Sequence, residues 1–288
     1  YQTYFKSFFS KNFTMKRLLF LPSIIILLAV VWYSNPAELL AVISEANVPY
    51  IFLAIAISFT TLLARVAKWW VLLGDVSYRK LFPVQIFGMV FSNFTPGKAA
   101  EPLKALILKL HTGRDVSKTL PTIIWERIFD LVVLISLAVA GLLFFGLSGF
   151  ASLGIVAIAI FLALIVVFFS ALKNKGFGLR LFKFARKFPL LKKIPRSFAE
   201  AFYKTKIANR RLVLSLAITV VPWVLEGFVL YYVLLAIGVD LNPLMLASLI
   251  ALADLIAVAS FLPGGIGAFE VVSVLFLGIF GVTPAAAT

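Results

Sequence analysis

The sequence of 288 residues contains no cysteine and a single histidine, His111. Without cysteine the chain forms no disulfide, and it offers no thiolate for metal binding or nucleophilic attack. One histidine without a second ligand nearby does not make a metal site. We therefore expect no metal, no cofactor and no catalytic residue in this chain.

Acidic residues are also scarce, with 12 Asp and Glu against 27 Lys and Arg and a net charge of +15. The positive charge is concentrated in residues 173–211, where Glu200 is the only acidic residue. In a soluble protein such a segment would suggest nucleic acid. Between membrane spans, the cytoplasmic preference of Lys and Arg and their attraction to anionic lipid explain it better. We expect a cytoplasmic loop and no nucleic-acid partner.

Long hydrophobic runs make up most of the remaining chain. Hydrophobic residues account for 62% of the sequence, and the mean hydropathy is +1.06. A soluble domain of this length has no use for so much apolar surface, so the composition predicts an all-α polytopic membrane protein. No aqueous catalytic domain and no phosphate-binding P-loop is evident. The sequence therefore favours a transporter that does not itself use ATP over an enzyme.

The pattern of apolar runs predicts the membrane organisation. Residues 1–17 read as an interfacial N-terminal segment on the cytoplasmic side, and residues 18–288 as one membrane domain of the cell membrane. Basic clusters flank the segment 83–110 on both sides, which suggests that it enters and leaves the membrane from the cytoplasm. The chain ends soon after its last predicted span, which leaves open whether a C-terminal portion is missing. Spans are predicted at about 18–33, 48–73, 119–147, 150–172, 212–237 and 268–283, and re-entrant helical hairpins at about 83–110 and 243–267.

Two stretches of the chain resemble each other. Residues 68–73 read KWWVLL and residues 230–235 read LYYVLL, and each is followed by an apolar stretch, a Pro-Gly break and a glutamate. The first copy is predicted to run inward across the membrane and the second outward, which makes them inverted repeats. Paired broken segments in two halves indicate a transporter's binding site, with the hairpin tips near the bilayer midplane. The predicted turn residues are Pro96, Gly97, Pro263, Gly264, Gly265 and Gly267.

Polar side chains within the predicted membrane segments are candidates for substrate binding. A charge at the bilayer centre costs at least about 2.5 kcal/mol, so each one is a functional candidate by default. The candidates are Arg65, Lys68, Asn93, Lys98, Glu101, Glu126, Arg127, Asp130, Glu226, Asp254 and Glu270.

The candidates near the first break suit an anion. Arg65 and Lys68 share a helix face and would hold a lipid phosphate, although snorkelling to the inner headgroups is an alternative. If a half-helix begins after Pro96-Gly97, its free N–H groups and Lys98 favour an anion. Glu101 near the same helix start would bind substrate or cap the helix.

The remaining candidates are mainly acidic. Glu126 and Asp130 share a face, and with Arg127 they form either a gate or headgroup site or an ion-pair network that closes the inner side. Glu226 lies near the middle of its span, so it must pair with a distant group, be protonated, or face a wet cavity. Glu226, Asp254 and Glu270 are assigned to substrate binding or proton coupling.

Three stretches of the chain carry a family resemblance: residues 93–101 (NFTPGKAAE), 125–130 (WERIFD) and 262–270 (LPGGIGAFE). Together and in this order they resemble the flippase-like membrane domain family. That family is the transmembrane region of lysylphosphatidylglycerol synthases, including the bacterial multiple peptide resistance factor, and of related standalone bacterial and archaeal proteins. The soluble aminoacyl-transferase domain of the resistance factor is absent here. Ala99-Ala100 also precede Glu101, where the family usually has glycine before the glutamate.

The resemblance implies a lipid translocase with re-entrant helices. Family members move aminoacylated phosphatidylglycerol or are linked to polyprenyl-phosphate sugar pathways. The expected function is movement of a phosphate-bearing lipid through a polar midplane cavity, with anionic or phosphate-bearing membrane lipids as partners. A partner lipid synthase or glycosyltransferase and a homo-oligomer stay open. The alternatives are an ion-coupled transporter of small solutes and a membrane subunit of a lipid-modifying or glycosyltransferase pathway.

Overall fold

The computed structural model describes residues 24–93, 95, 100–145, 163, 166, 167, 170, 171, 174–185, 203, 207–260 and 262–287. Within these residues the chain is built of helices joined by turns, as expected for an all-α protein. In chain order the helices are α1 (Ile24–Tyr33), α2 (Pro36–Ser44), α3 (Val48–Leu73), α4 (Tyr78–Asn93), α5 (Leu103–Thr112), α6 (Val116–Phe144), α7 (Lys175–Ala185), α8 (Asn209–Ala236), α9 (Pro243–Ala259), α10 (Ala268–Ile279) and α11 (Pro284–Ala287).

Three of the described helices are long and apolar enough to cross a membrane singly. Helices α3, α6 and α8 contain 26, 29 and 28 residues. At about 1.5 Å per residue, each exceeds the roughly 30 Å of a bilayer's hydrocarbon core. Helices α1 and α2 together are a candidate fourth span, bent by 76°. The bend lies at Asn35, which has φ 54° and accepts a hydrogen bond from Ala37 N at 3.3 Å.

The long helices lie close to the spans predicted from the sequence. Helix α3 has the predicted bounds 48–73, whereas α6 and α8 begin at Val116 and Asn209 rather than at 119 and 212. Of the predicted span 18–33, the structure describes the part from Ile24 onward. The predicted span 150–172 lies largely outside the described residues, and the segment 1–17 lies wholly outside them.

The second broken segment lies between two helices that pack against each other. Helix α9 ends at Ala259, the Pro263-Gly264-Gly265 turn follows, and α10 packs against α9. Helix α9 lies within the segment predicted at 243–267 as a re-entrant hairpin, and α10 lies within the span predicted at 268–283. At 12 residues, or about 18 Å, α10 is too short to cross a bilayer by itself.

Gly265 makes the reversal after α9 possible. Its φ is 69°, and a Cβ atom there would lie 2.5 Å from the Cβ of Ala257. A side chain would be strained in this backbone conformation and would also push the turn away from α9. The α9–α10 hairpin thus depends on glycine at this position.

The first broken segment also lies between two helices. Helix α4 precedes the break and α5 follows it, and the Thr95 hydroxyl links the two ends of the break. The Oγ1 of Thr95 donates to Ser92 O at 2.8 Å and accepts from Ala100 N at 2.9 Å. The predicted turn residues Pro96 and Gly97 lie outside the described residues.

The chain divides into two compact units. Unit 1 comprises Tyr1–Ser58, Phe87–Glu101 and Leu225–Thr288, and unit 2 comprises Phe59–Ile86 and Pro102–Val224. In unit 2, parts of α3, α4, α5 and α6 share a hydrophobic core. Its buried members are Val66, Trp69, Leu73, Val76, Leu81, Val84, Ala105, Leu108 and Ile123.

Unit 1 is packed through small residues. A Cβ on Gly227 of α8 would lie 2.5 Å from Ala247 Cβ and 2.5 Å from Pro243 O. Ala251 and Ala253 of α9 are fully buried. Small side chains let helix backbones approach closely, which is a common way for membrane helices to associate.

Candidate functional site

Four charged side chains lie buried together in unit 2. Lys68 of α3, Lys104 of α5, and Glu126 and Asp130 of α6 are each at most 2% exposed. An unpaired charge at such a position would be very costly, so buried ions need partners of opposite charge and further hydrogen bonds. We call these four residues, together with Arg65, Gln85, Arg127 and Trp223, the unit 2 charge cluster.

Glu126 connects both lysines of the cluster. Its Oε2 forms an ion pair with Lys104 Nζ, and its Oε1 lies 3.6 Å from Lys68 Nζ. Gln85 of α4 bridges the pair, because its Nε2 donates to Glu126 Oε1 at 3.3 Å and its Oε1 accepts from Lys104 at 3.3 Å. Side chains from four helices therefore meet at one carboxylate.

Asp130, one turn along α6, is the second acceptor. Its Oδ1 lies 2.5 Å from Lys68 Nζ and accepts a hydrogen bond from Trp223 Nε1 at 3.0 Å. Its Oδ2 lies 2.8 Å from Arg127 Nη2 without hydrogen-bond geometry. This second oxygen keeps a lone pair available for a better-placed donor.

Tryptophan rings lie against two cations of the cluster, Lys104 and Arg65. Lys104 Nζ lies 4.4 Å from the centroid of the Trp69 ring, and the Arg65 guanidinium carbon lies 4.6 Å from the centroid of the Trp223 ring. Such contacts attract a cation to the ring face while keeping it out of water. Trp69 is itself fixed, because its Nε1 donates to Thr122 Oγ1 at 3.1 Å.

Helical spacing brings these groups to one place. On α6, Thr122, Glu126 and Asp130 recur every four residues and are all buried. On α8, Ser215, Thr219 and Trp223 follow the same spacing and are at most 5% exposed. The Ser215 hydroxyl donates to Lys68 O at 3.0 Å, which ties α8 to α3 within unit 2.

The cluster carries more positive than negative charge. It contains four cationic side chains, Lys68, Lys104, Arg65 and Arg127, and two carboxylates, Glu126 and Asp130. The side chain of Arg127 is 36% exposed, whereas the lysines and carboxylates are almost completely buried. A guanidinium that reaches the surface beside a buried ion pair is suited to a phosphate or carboxylate group.

The structure brings five of the predicted site residues together in unit 2: Arg65, Lys68, Glu126, Arg127 and Asp130. Lys68 is fully buried, and its Nζ lies 2.5 Å from Asp130 Oδ1. The prediction of an ion-pair network around Glu126 and Asp130 agrees with these contacts.

Other predicted site residues belong to unit 1. Glu226 of α8 and Asp254 of α9 are half-buried, and Glu101 is 6% exposed. Glu270 accepts a hydrogen bond from Gly267 N at 2.6 Å, so it caps the start of α10. Asn93 is exposed at the end of α4, and Lys98 lies outside the described residues.

The two broken segments approach each other within unit 1. Thr95 of the first and Gly264 and Gly265 of the second line a small pocket together with Asp254. A Cβ on Gly264 would lie 3.1 Å from Asn93 O. Described residues beside the two breaks therefore lie close together.

Sequence reasoning missed three members of the cluster. Lys104 was not among the candidates, but it shares the buried face of α5 with Ala105 and Leu108. Its helical spacing to these apolar residues was the available signal. Gln85 is a lone polar residue in an apolar run, which was a second signal, whereas nothing in the sequence indicated that Trp223 donates to Asp130.

In the described part of the chain, no group of three or more His, Asp or Glu side chains lies close enough to hold a metal ion. The cluster contains lysines and arginines instead, and these bind anions through charge-assisted hydrogen bonds. What the arrangement offers is recognition of an anion in an apolar setting.

Comparison with known proteins places the chain among membrane proteins. Residues 20–288 match the family described as the lysylphosphatidylglycerol synthase TM region. A UPF0104 membrane protein of Methanothermobacter thermautotrophicus is 28% identical over 91% of this chain and 84% of its own length. A UPF0104 membrane protein of Pyrococcus horikoshii is 26% identical over 92% of this chain and 87% of its own length.

One similar protein carries an enzyme name. Glycosyltransferase AglD of Haloferax volcanii is 25% identical over 88% of this chain, and the match covers 47% of that protein. No solved structure matches the chain.

Proposed function

Because the chain belongs to the lysylphosphatidylglycerol synthase TM region family, we propose that it moves a phosphate-bearing lipid between the leaflets of a membrane. The headgroup would be an aminoacyl-phospholipid headgroup or a polyprenyl-phosphate, and the lipid tails would stay in the bilayer. The unit 2 charge cluster is the single observation that carries this proposal.

The charge of the cluster supports a phosphate ligand. The cluster has four cationic side chains and two carboxylates, and Arg127, whose side chain is 36% exposed, lies beside Asp130 with Nη2 2.8 Å from Oδ2. A phosphate that binds the arginines would compete with Asp130 for Arg127. If phosphate replaced Asp130 beside Arg127, the arginine would still face a negative charge. A neutral ligand in the same place would leave that arginine without one.

The helix–break–helix segments support a transport mechanism. We assign α4–α5 and α9–α10 to re-entrant hairpins of an inverted repeat, each with its Pro-Gly break inside the membrane. Irregular backbone at membrane depth is tolerated where it is buried in protein or lines a wet cavity. Rocking of one repeat against the other would then open the path to each leaflet in turn.

The distribution of charge supports the orientation. We place the N-terminus and the basic loop 173–211 on the cytoplasmic side, in line with the preference of Lys and Arg for that side. Helix α7 within this loop exposes Phe177 and Phe184 next to its basic residues. An amphipathic helix of this kind would lie on an anionic inner leaflet.

A second candidate function rests on one of the similar proteins. Glycosyltransferase AglD matches this chain over about half of its own length, so a related membrane region occurs within a protein that bears an enzyme name. The chain would then serve as a membrane partner that presents a lipid-linked substrate to a glycosyltransferase. A lipid synthase is the corresponding partner for an aminoacyl-phospholipid.

Reconstitution in liposomes tests the main proposal. The wild-type protein should move a fluorescent phosphatidylglycerol or a labelled polyprenyl-phosphate from the inner to the outer leaflet, where a membrane-impermeant quencher detects it. Arg127→Ala should lower that rate about tenfold, because a charge-assisted hydrogen bond contributes on the order of 1.5–3 kcal/mol. Arg127 is partly exposed, so the fold should survive the change.

The matched control is Ser136→Ala on the same helix. Ser136 is exposed and bonds only to Val132 O among the contacts of the described residues. This variant should translocate lipid at the wild-type rate. Equal rates for wild type, Arg127→Ala and empty liposomes would contradict the proposal, whereas a requirement for added glycosyltransferase would favour the second candidate.

A further inference from the structure

A polar cavity lies in unit 2 at the ends of four helices. None of the residues that line it belongs to the charge cluster. It has a volume of about 570 Å³ and is lined by residues that connect α3 to α4 and α5 to α6. Cavities that hold small ligands typically measure about 300–1,000 Å³. The cavity is therefore large enough for a ligand and not merely for a water molecule.

Basic side chains dominate the wall of this cavity. Lys80, Arg114 and Lys118 line it, opposed by Asp75 and Asp115. Arg114 forms an ion pair with Asp75, so these two charges compensate each other. Two lysines then face the single carboxylate of Asp115, which leaves the cavity positive.

Arg114 also has an unused donor. Its Nη1 is paired with Asp75, but its Nε is buried and has no hydrogen-bond partner among the described residues. A buried N–H without an acceptor is unfavourable. An anionic oxygen bound in the cavity would supply the missing acceptor.

The two lysines occupy positions that a helix by itself does not favour. Lys80 is in the first turn of α4 and Lys118 is in the first turn of α6, and neither first turn contains an acidic residue. The positive end of the helix dipole repels a cation there and attracts an anion. Ser77, at the start of α4, and Asp115, at the start of α6, both line the cavity, so both helix starts border it.

Asp115 offsets only part of this positive potential, because one carboxylate faces two lysines. It is the N-cap residue of α6, but its side chain makes no capping hydrogen bond. The N–H of Lys118 donates instead to the backbone oxygen of Asp115 at 3.1 Å. Two lysines and an arginine with an unused Nε donor therefore line one open space beside two helix starts, and cationic donors of this kind bind phosphate.

We propose that this cavity is a phosphate-binding site, separate from the unit 2 charge cluster. The ligand is a phosphate group, carried either by a lipid headgroup at the membrane surface or by a soluble phosphate ester. The site does not depend on lipid translocation, since it is formed by other residues and would bind its ligand in a protein that moves no lipid.

The test uses the full chain in nanodiscs of phosphatidylcholine. The thermal midpoint is measured with sodium phosphate against sodium chloride at equal ionic strength, and in nanodiscs with and without phosphatidylglycerol. The variant Lys80→Gln/Lys118→Gln removes both lysines. The control variant Arg79→Gln/Lys109→Gln removes two basic residues from exposed positions that do not line the cavity.

The wild type and the control should be stabilised by at least one probe, and the lysine variant should need at least about tenfold more of that probe for the same shift. A loss confined to inorganic phosphate assigns the site to a soluble phosphate ester, and a loss confined to phosphatidylglycerol assigns it to a lipid headgroup. The proposal is overturned if the wild type responds to neither probe, or if the lysine variant and the control respond alike.

Discussion

Each of the two units is stabilised internally by a different kind of contact. In unit 2, ion pairs and hydrogen bonds join Lys68, Lys104, Glu126 and Asp130, with tryptophan rings over the cations. In unit 1, close helix contacts such as Gly227 against Ala247 take that place. The described part of unit 1 contains no lysine or arginine. Its charged side chains are Glu38, Glu45, Glu101, Glu226, Asp240, Asp254 and Glu270.

The difference separates two ways of packing apolar helices in a membrane. Lipid tails are as apolar as leucine, so the hydrophobic effect gives little preference for helix–helix over helix–lipid contact. Unit 2 gains specificity from polar partners that only one arrangement satisfies. Unit 1 gains it from van der Waals contact between small residues. Removal of one polar partner should therefore harm unit 2, whereas added volume should harm unit 1.

The largest effect is expected for Glu126→Ala. The change leaves Lys68 and Lys104 buried without their shared carboxylate, and loss of one partner of a buried ion pair costs about 3–5 kcal/mol. The free energy of unfolding in mixed micelles should fall by that amount. The double variant Lys104→Met/Glu126→Leu should recover part of the loss, since it replaces a pair by apolar groups.

A loss below about 1 kcal/mol for Glu126→Ala would match an exposed ion pair instead. That result would remove the distinction between the two units. Glu126→Gln serves as the conservative control, because its amide oxygen still accepts from the Lys104 ammonium.

Added volume in unit 1 should give the next largest effect. In Gly227→Ala the new Cβ would lie 2.5 Å from Ala247 Cβ and from a backbone oxygen, so α8 and α9 must move apart. Overpacking of this kind costs about 1–3 kcal/mol, measured as a fall in the thermal midpoint or the free energy of unfolding.

Gly278→Ala on α10 is the matched control for Gly227→Ala. A Cβ at Gly278 meets nothing within 4 Å, and its φ is not in the left-handed region. Alanine should stabilise the helix there by roughly 0.5–1 kcal/mol. If both variants shift stability in the same direction, close packing at Gly227 is not what holds this part of unit 1.

The same contrast explains how much the sequence could predict. Long apolar runs located α3, α6 and α8 to within a few residues, because membrane helices must be long and continuous. The charge of Arg65, Lys68, Glu126, Arg127 and Asp130 marked them as candidates, because an isolated ion is costly in that setting. Five residues of the cluster were thus found without knowledge of the fold.

What the sequence could not supply is which residues are partners. Lys104 lies only 19 residues from Gln85, but its contact with Glu126 depends on how α5 packs against α6. The packing of α10 against α9 was not predicted either, because an apolar run does not show which helix it contacts. In both cases the missing information is three-dimensional packing rather than residue type.

A functional comparison of the units uses Arg65→Ala and Glu226→Gln. Arg65 belongs to the unit 2 charge cluster, which we propose as the binding site for the transported lipid's phosphate. Its loss should lower lipid translocation about tenfold, which corresponds to about 1.4 kcal/mol. Glu226 lies in unit 1, and its amide variant keeps the side-chain volume, so the decrease should be smaller than tenfold. Rates of both variants equal to wild type in the quenching assay would reject both as site residues.

The smallest effect is expected for Glu270→Gln at the start of α10. The glutamate accepts a hydrogen bond from Gly267 N, and a glutamine oxygen can accept the same bond without the charge that favours a helix N-terminus. The free energy of unfolding should fall by about 0.3–1 kcal/mol. Glu270→Ala, which removes the acceptor, should cost more. A fall of about 3 kcal/mol for Glu270→Gln would mean that unit 1, like unit 2, depends on a buried carboxylate.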